Sequence, residues 1–569
     1  MTVTPPSPVR YVATSFLRAL SFPVWYGVQT ISKRLFQRTS TLKIVMSAQN
    51  IQTWQPSSSH WLSLQSVVHN PQVSTVWLVL KTIPQGWNTI WAFRQLLRQL
   101  KSAGKTIVVL IECSDARALW MTACADKIWI QYGVELFWSG IGGRHNFYGA
   151  LLEKYGVQAD IEAAGAFKSF GESFTRTEPS RANRQQLESL YQSLYQELIE
   201  NLQSDSGLLK EQLEPLLHQT PIASERLLAL GLIEGEGDIH SVEERLQAYT
   251  HQEGRGCSFS TFHRWRKRLA WWHWGRIGRQ IAMVHLEGSI SDFGEDQEGI
   301  IADVVVSQLE ALCEQDEIVA VVLNINSPGG SAIASDRIAR AILRLRKQKK
   351  VIAYMGGVAA SGGYYISAVT DWIWASPQTI TGSIGVVGGK MVLGKAMREQ
   401  GVQAHTIVAG GEADFLDWWS PFSDGQRERF RQFLDRTYRR FKRVVSEGRR
   451  LPMEAVEDVA QGRVWTGTQA VECGLVDHLG TLEQCLVDLS ARLHTSVDRL
   501  NIVHIRHEVT GWKKWRKKLL GVVTSSPLSH NLEQSLLSGL PLLLRSIAQH
   551  PQEPLLLLPI EVEMTTQKD

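Results

Sequence analysis

The chain repeats itself at an interval of 244 to 245 residues, and no other feature constrains its fold as strongly. The first copy reads VSTVWLVLKTIPQGW from Val73 to Trp87, and the second reads EIVAVVLNINSPGGS from Glu317 to Ser331. Pro84 lies 244 positions before Pro328, and Gly86 lies 244 before Gly330. Each copy continues into an amphipathic helix pattern, WAFRQLLRQLKSAGK or DRIARAILRLRKQKK, and then an apolar strand, TIVVLIE or VIAYMGG. ADKIWI is answered by TDWIWA, and EKYGVQADIEAAG by REQGVQAHTIVAG, where Gly156 and Gly401 are 245 apart. Late in each copy ALGLIEGEG corresponds to ECGLVDHLG. Single matches would be chance, but a series in one order is a tandem duplication, and its long period excludes a solenoid.

Strands alternating with helices predict an α/β fold of two tandem repeats with largely parallel sheets. The reading divides the 569 residues into an N-terminal membrane-associating segment, 1–45, and a first repeat, 46–250. A basic, Trp-rich linker follows at 251–280, then the second repeat, 281–490, and an extension, 491–569.

The chemistry lies where the copies differ. The second copy carries MGGVAASGGYYISAVTD, Met355 to Asp371, in which Ser361 sits in a bed of small residues. Glycine inside a helix costs about 1 kcal/mol against alanine, so Gly362 and Gly363 point to a close approach at Ser361 or a use of its neighbouring amides. The equivalent place in the first copy is Ala116 or Arg117, in CSDARALW. Conversely, the first copy carries Lys168 in AGAFKSFGESF, and the second has Ala413 there. One copy keeps a candidate nucleophile and the other a candidate base, as expected of one composite site. A serine hydroxyl needs a base within hydrogen-bond reach. A lysine serves only when neutral, which requires desolvation; Ala163, Ala164, Ala166, Phe167 and Phe170 surround Lys168 in sequence and can supply it. Ser–Lys pairs are a variant of the serine-protease constellation. Acyl transfer also needs oxyanion donors. NSPGGS, Asn326 to Ser331, ends a predicted strand and opens a helix, so Gly330 N–H together with Gly362 N–H is the expected hole. Ser383, in TGSIGV, is a candidate to orient Lys168.

NINSPGGS, GGVAASGGYYIS, TGSIGV and FKSFGESFTR together resemble the SppA family (protease IV, signal peptide peptidase A) in its long, duplicated form, over about residues 70 to 490. The resemblance implies a Clp-protease/crotonase-like fold and a Ser–Lys dyad split between the repeats, Ser361 as nucleophile and Lys168 as general base. It also implies membrane association, degradation of cleaved signal peptides and other short apolar peptides, and a homotetrameric ring or bowl. The short form carries its lysine after the serine within one repeat; Ala413 at that place favours the long arrangement.

The remaining composition narrows the partners. A net charge of +4 gives no case for nucleic acid. None of the six cysteines forms a C-x-x-C pair, and the 16 histidines include no H-E-x-x-H, so no metal and no cofactor is expected. The apolar stretch Tyr11–Thr30 is broken by Arg18 and Pro23 and followed by Lys33, Arg34, Arg38 and Lys43, which suits an interfacial helix; were it to span, the positive-inside tendency would leave the main body on the cytoplasmic face. GWKKWRKKLLGVV, Gly511–Val523, reads as a second lipid-facing segment, and EPLLLLPIEVEM, Glu553–Met564, as a docking strand. The rival readings are a crotonase-type acyl-CoA enzyme using the same oxyanion glycines, and a catalytically silent membrane scaffold.

Overall fold

A computed structural model describes residues 41–56, 58–138, 140–250, 257–272, 280–292, 299–407, 411–412, 414–495, 501–505 and 555–557. The segments Tyr11–Thr30 and Gly511–Val523 lie outside the described residues, as does Ala413. The chain forms two compact units. Of the described residues, one takes those up to Gln85 with Thr89–Gly140 and those from Asn201 to Trp272; the other takes Gly86–Asn88, Ile141–Glu200 and those from Gln280 onward. The stretch of the first copy that carries Lys168 therefore belongs to the same unit as the second copy.

The first unit is built on a parallel sheet in the order β6 (Gly235–Glu236), β4 (Lys127–Ile130), β3 (Thr106–Ile111), β2 (Thr75–Leu80), β1 (Thr41–Met46), β7 (Cys257–Ser258). Strand β2 is buried along its whole length, as a strand covered on both faces must be. Trp77, Val79, Val108 and Leu110 point to one face and meet Val242 and Leu246 of the helix Ile239–Thr250. The stretch expected to be a linker instead contains β7 and a helix, Phe259–Trp272, and β1 starts before the expected repeat boundary. Both follow from apolar residues placed so that they can join the sheet or pack on it: Phe259 and Phe262 are buried.

The second unit carries two sheets. The larger has the order β17 (Val464–Thr466), β15 (Ile380–Gly382), β13 (Lys350–Ala360), β11 (Ile318–Ser327), β8 (Gln280–Glu287), β19 (Asn501–Ile505); β14 (Trp372–Ala375) pairs with β13 and with β18 (His478–Leu479). All these pairings are parallel except β15 with β17. Alternation sorts the side chains: Ile281, Met283, Val322 and Ile352 pack with Leu482, Cys485 and Leu489 of one helix, while Val284, Val321, Leu323 and Val351 enter the main core. The smaller sheet has the order β10 (Ile300–Ile301), β9 (Ile290–Ser291), β12 (Gly329–Ser331), β20 (Leu555–Leu557), β16 (Val386–Val392), β5 (Gln158–Ala164).

The duplication is visible element by element. In the first copy β2, helix α1 (Trp87–Ser102), β3, helix α2 (Arg117–Thr122) and β4 follow one another, and helix α3 (Arg181–Ser206) comes later. The second copy answers with β11, helix α4 (Ala332–Arg346), β13, helix α5 (Gly362–Ala368) and β14, then helix α6 (Asp424–Arg449). Helices α3 and α6 are 26 residues each.

Candidate active site

Two strand registers bring the candidate residues together. Strands β5 and β16 are antiparallel with Ala164 opposite Val386. Lys168 lies four residues past Ala164 and Ser383 three residues before Val386, so both leave the same end of this ladder. Strands β13 and β15 are parallel with Ala360 beside Gly382, so Ser361 and Ser383, the next residues along, also meet there. Lys168 Nζ lies 2.9 Å from Ser361 Oγ, 2.9 Å from Ser383 Oγ and 3.1 Å from the Ser383 carbonyl oxygen. Lys168 is 3% exposed, and both serines are fully buried.

Burial alone pushes the Lys168 ammonium well below the ordinary lysine range; no charged neighbour contributes. A neutral amine has two hydrogens and one lone pair. The Ser383 carbonyl can only accept, and the Ser383 hydroxyl can accept as well. When those two oxygens take both hydrogens, the lone pair is left for the Ser361 hydroxyl proton.

Ser361 adopts φ 54° and ψ −114°, a conformation costly for any residue with a side chain. It is fixed by Ser361 N–H donating to the Gly382 carbonyl at 2.8 Å and by Tyr365 N–H donating to the Ser361 carbonyl at 2.8 Å. At the corresponding place in the first copy Ala116 has ordinary helical angles, φ −63° and ψ −16°. The sharp strand-to-helix elbow is thus present where the hydroxyl is and relaxed where it is not.

The two glycine amides are neighbours. A Cβ added to Gly362 would lie 3.3 Å from Gly330 N, and one added to Gly330 would lie 2.0 Å from the Ile290 carbonyl oxygen. At Gly330 a side chain would have to move backbone, while at Gly362 it would first meet the Ser335 hydroxyl, 2.6 Å away. Gly362 opens α5, where N–H groups have no carbonyl of their own helix to meet. The β12 loop and the start of α5 therefore form one surface beside Ser361, suited to a developing oxyanion.

Gln186, on α3, joins the site without any signal in the sequence. It is buried, and its Nε2 donates to the Phe167 carbonyl at 3.2 Å and to Ser169 Oγ at 3.0 Å, the residues on either side of Lys168. Phe167 N–H donates to the Gln461 carbonyl at 2.7 Å, and a Cβ on Gly462 would meet Lys168 N at 2.5 Å. The lysine is thus held from both sides by main chain and an amide. A cavity of 710 Å³ elsewhere in the unit, lined by Gly149, Phe174, Arg176, Lys395 and Trp419 among others, includes none of these site residues. Among the described residues no cluster of three or more His, Cys, Asp or Glu could hold a metal ion.

The model of peptidase family S49 matches residues 99–252 and 344–495, more than half of the chain. This chain belongs to peptidase family S49. The Clp protease model also matches, over residues 280–373. Both copies therefore belong to one family, and the fold is a duplicated, Clp-protease-like α/β arrangement. Similar proteins include the chloroplastic serine protease SPPA of Arabidopsis thaliana, 29% identical over 74% of this chain and 63% of the relative. Protease 4 of Haemophilus influenzae is 27% identical over 68% of this chain and 65% of its own length. The putative signal peptide peptidase SppA of Enterococcus faecium is 31% identical over 42% of this chain and 70% of its own. The chain spans a little under two thirds of the two longer relatives.

Proposed function

We propose that this S49 member is a serine endopeptidase working through a Ser361–Lys168 dyad. The observation that carries the reading is the buried 2.9 Å contact between Lys168 Nζ and Ser361 Oγ, with no acid to hold the lysine protonated. Neutral Lys168 takes the Ser361 proton as Oγ attacks the scissile carbonyl. The Gly330 and Gly362 amides stabilise the oxyanion, and Lys168 then returns the proton to the leaving amine. Water repeats the sequence on the acyl-enzyme, releasing the acid product and regenerating Ser361. Ser383 positions the lysine through both of its oxygens.

The substrates in this reading are cleaved signal peptides and other short apolar peptides, in keeping with the name of the Enterococcus relative. The proposal extends to work against a membrane surface, with the cytoplasmic face favoured, and to a homotetramer. Among the described residues no helix is long and apolar enough to cross a membrane, and the lipid-facing segments proposed from sequence lie outside them. A fluorophosphonate probe tests the centre: it should label the wild-type chain at Ser361, fail on Ser361→Ala, and label Lys168→Ala at least about 10²-fold more slowly. Labelling at wild-type rate in Lys168→Ala would sink the dyad.

A further inference from the structure

The loop that carries Gly330 is bracketed by three buried serines spaced four apart, Ser327, Ser331 and Ser335, in the run SPGGSAIAS. Ser327 Oγ accepts from Gly329 N–H at 3.2 Å. Ser335 Oγ donates to the Ser331 carbonyl at 2.8 Å and backs onto the start of α5, where a Cβ on Gly362 would lie 2.6 Å from it. Ser331 caps α4, its Oγ accepting from Ala334 N–H at 3.2 Å. The Ser331 hydroxyl keeps one hydrogen to donate, and it goes to Asp292 Oδ2 at 3.0 Å.

Asp292 is a buried charge with no part in the proton transfers between Lys168 and Ser361. It is 5% exposed and sits two residues after Ile290, which pairs with Gly330 across β9 and β12. Its second oxygen, Oδ1, accepts from Arg337 Nη1 at 2.6 Å, and Arg337, partly exposed on α4, also pairs with Asp303. Burying a carboxylate is costly, and a negative charge close to an oxyanion hole works against the charge that develops there. The bond to the Ser331 hydroxyl gives Asp292 a mechanical role instead. Bonded to Asp292 on one side and to Ala334 on the other, the Ser331 side chain is fixed at both ends. Arg337 offsets the charge of the carboxylate.

We propose that Asp292 is a positioning residue for the oxyanion hole: through the Ser331 hydroxyl it holds the Gly330 amide in place beside the Gly362 amide. The inference rests on the peptidase reading, which gives the Gly330 amide its purpose. Oxyanion donors act only when aimed at the place the oxygen takes in the transition state, and a misplacement of about 1 Å is enough to cost about 10²-fold. Gly329 and Gly330 have no side chains to hold that aim by packing, so it falls to the residues that flank them.

The test compares the full-length wild type with Asp292→Ala, Asp292→Asn, Ser331→Ala and the double variant Asp292→Ala/Ser331→Ala. The substrate is a fluorogenic apolar peptide. The inhibitor is a tri-leucine aldehyde, whose adduct with Ser361 puts a tetrahedral oxygen in the hole. In Asp292→Ala kcat should fall about 10-fold or more. The inhibition constant of the aldehyde should rise by a similar factor, while KM stays within about 2-fold. The limb of kcat/KM against pH should keep its position, because Lys168 is untouched. Asparagine keeps an acceptor oxygen, so Asp292→Asn should recover most of the loss. Because Asp292 acts through Ser331, the double variant should lose no more than Ser331→Ala alone. Should Asp292→Ala fail to fold, Ser331→Ala carries the kcat and aldehyde comparison, since it cuts the same link. Five outcomes overturn the inference and leave the peptidase standing: wild-type kcat in Asp292→Ala, a fall in kcat with the aldehyde bound as tightly as before, a displaced limb, no recovery in Asp292→Asn, or additive losses in the double variant. A wild-type chain that neither cleaves the peptide nor binds the aldehyde refutes the peptidase reading, and the inference with it.

Discussion

Lys168 is the residue whose state governs the proposed reaction. At its reference pKa, about 10.4, fewer than about one lysine in a thousand is neutral at pH 7. Burial lowers the value, so activity should rise with pH along a limb centred below 10.4, following the neutral fraction. Lys168→Arg should be inactive, because arginine does not give up its proton. Gln186 should be a positioning residue, and its acidic variant reports that role. In Gln186→Glu a carboxylate would stand beside the lysine loop and favour the ammonium, so the limb should move to higher pH. Gln186→Leu should lower kcat about 10-fold or more with little change in KM. A wild-type limb in Gln186→Glu, from kcat/KM against pH, would show that the amide only packs. Ser361 and Lys168 are legible in the sequence because each is missing from the other copy. Gln186 is not: a glutamine on an amphipathic helix reads as part of a solvated face, and only the fold turns it toward the main chain around Lys168.

At the scale of elements, the site is a consequence of register. The antiparallel ladder of β5 with β16 ends three residues from Ser383, and the parallel ladder of β13 with β15 ends one residue before it. Apolar runs identify strands in the sequence, but which strands pair, and across which copies, depends on contacts far apart along the chain. That is why the second repeat's partnership with Ile141–Glu200 shows in the sequence only as a mismatch of residues. The turn at Gln461 and Gly462 completes the arrangement, since its main chain packs directly on Lys168. Gly462 has φ 79°, and a Cβ there would lie 2.6 Å from the Lys168 Cβ. Gly462→Ala should therefore shift the lysine loop and reduce kcat at least about 10-fold, at a cost of about 1–3 kcal/mol in stability. Unchanged turnover in that variant would mean the loop tolerates displacement and the fit around the lysine is looser than the contact implies. The basic Trp-rich stretch reads as a linker for a related reason: its charge density resembles a connector, while Phe259 and Phe262 pack as core.

Two properties belong to the whole molecule. The proposed membrane association should depend on the terminal segments, so a chain lacking residues 1–40 and 508–569 should leave the membrane pellet; β1 starts at Thr41 and must be kept. A folded truncated chain that still sediments with lipid would place the contact elsewhere. The second property is the cost of keeping a buried lysine. In the pH window between its lowered native pKa and about 10.4, the unfolded chain holds a proton on Lys168 that the folded chain does not. Stability then rises with pH, by up to about 1.4 kcal/mol per unit for one such group, and the full contribution is present only above the unfolded value. As pH falls toward the native pKa it is lost. Lys168→Met removes the titrating group and keeps an apolar chain of similar length. It should be inactive, more stable than wild type near neutral pH, and without this part of the rise with pH. Urea midpoints of both chains from about pH 7 to about pH 10 give the comparison, the two curves converging toward the alkaline end. Parallel curves would mean that Lys168 is charged in the folded chain, and a charged lysine cannot be the base that this site requires.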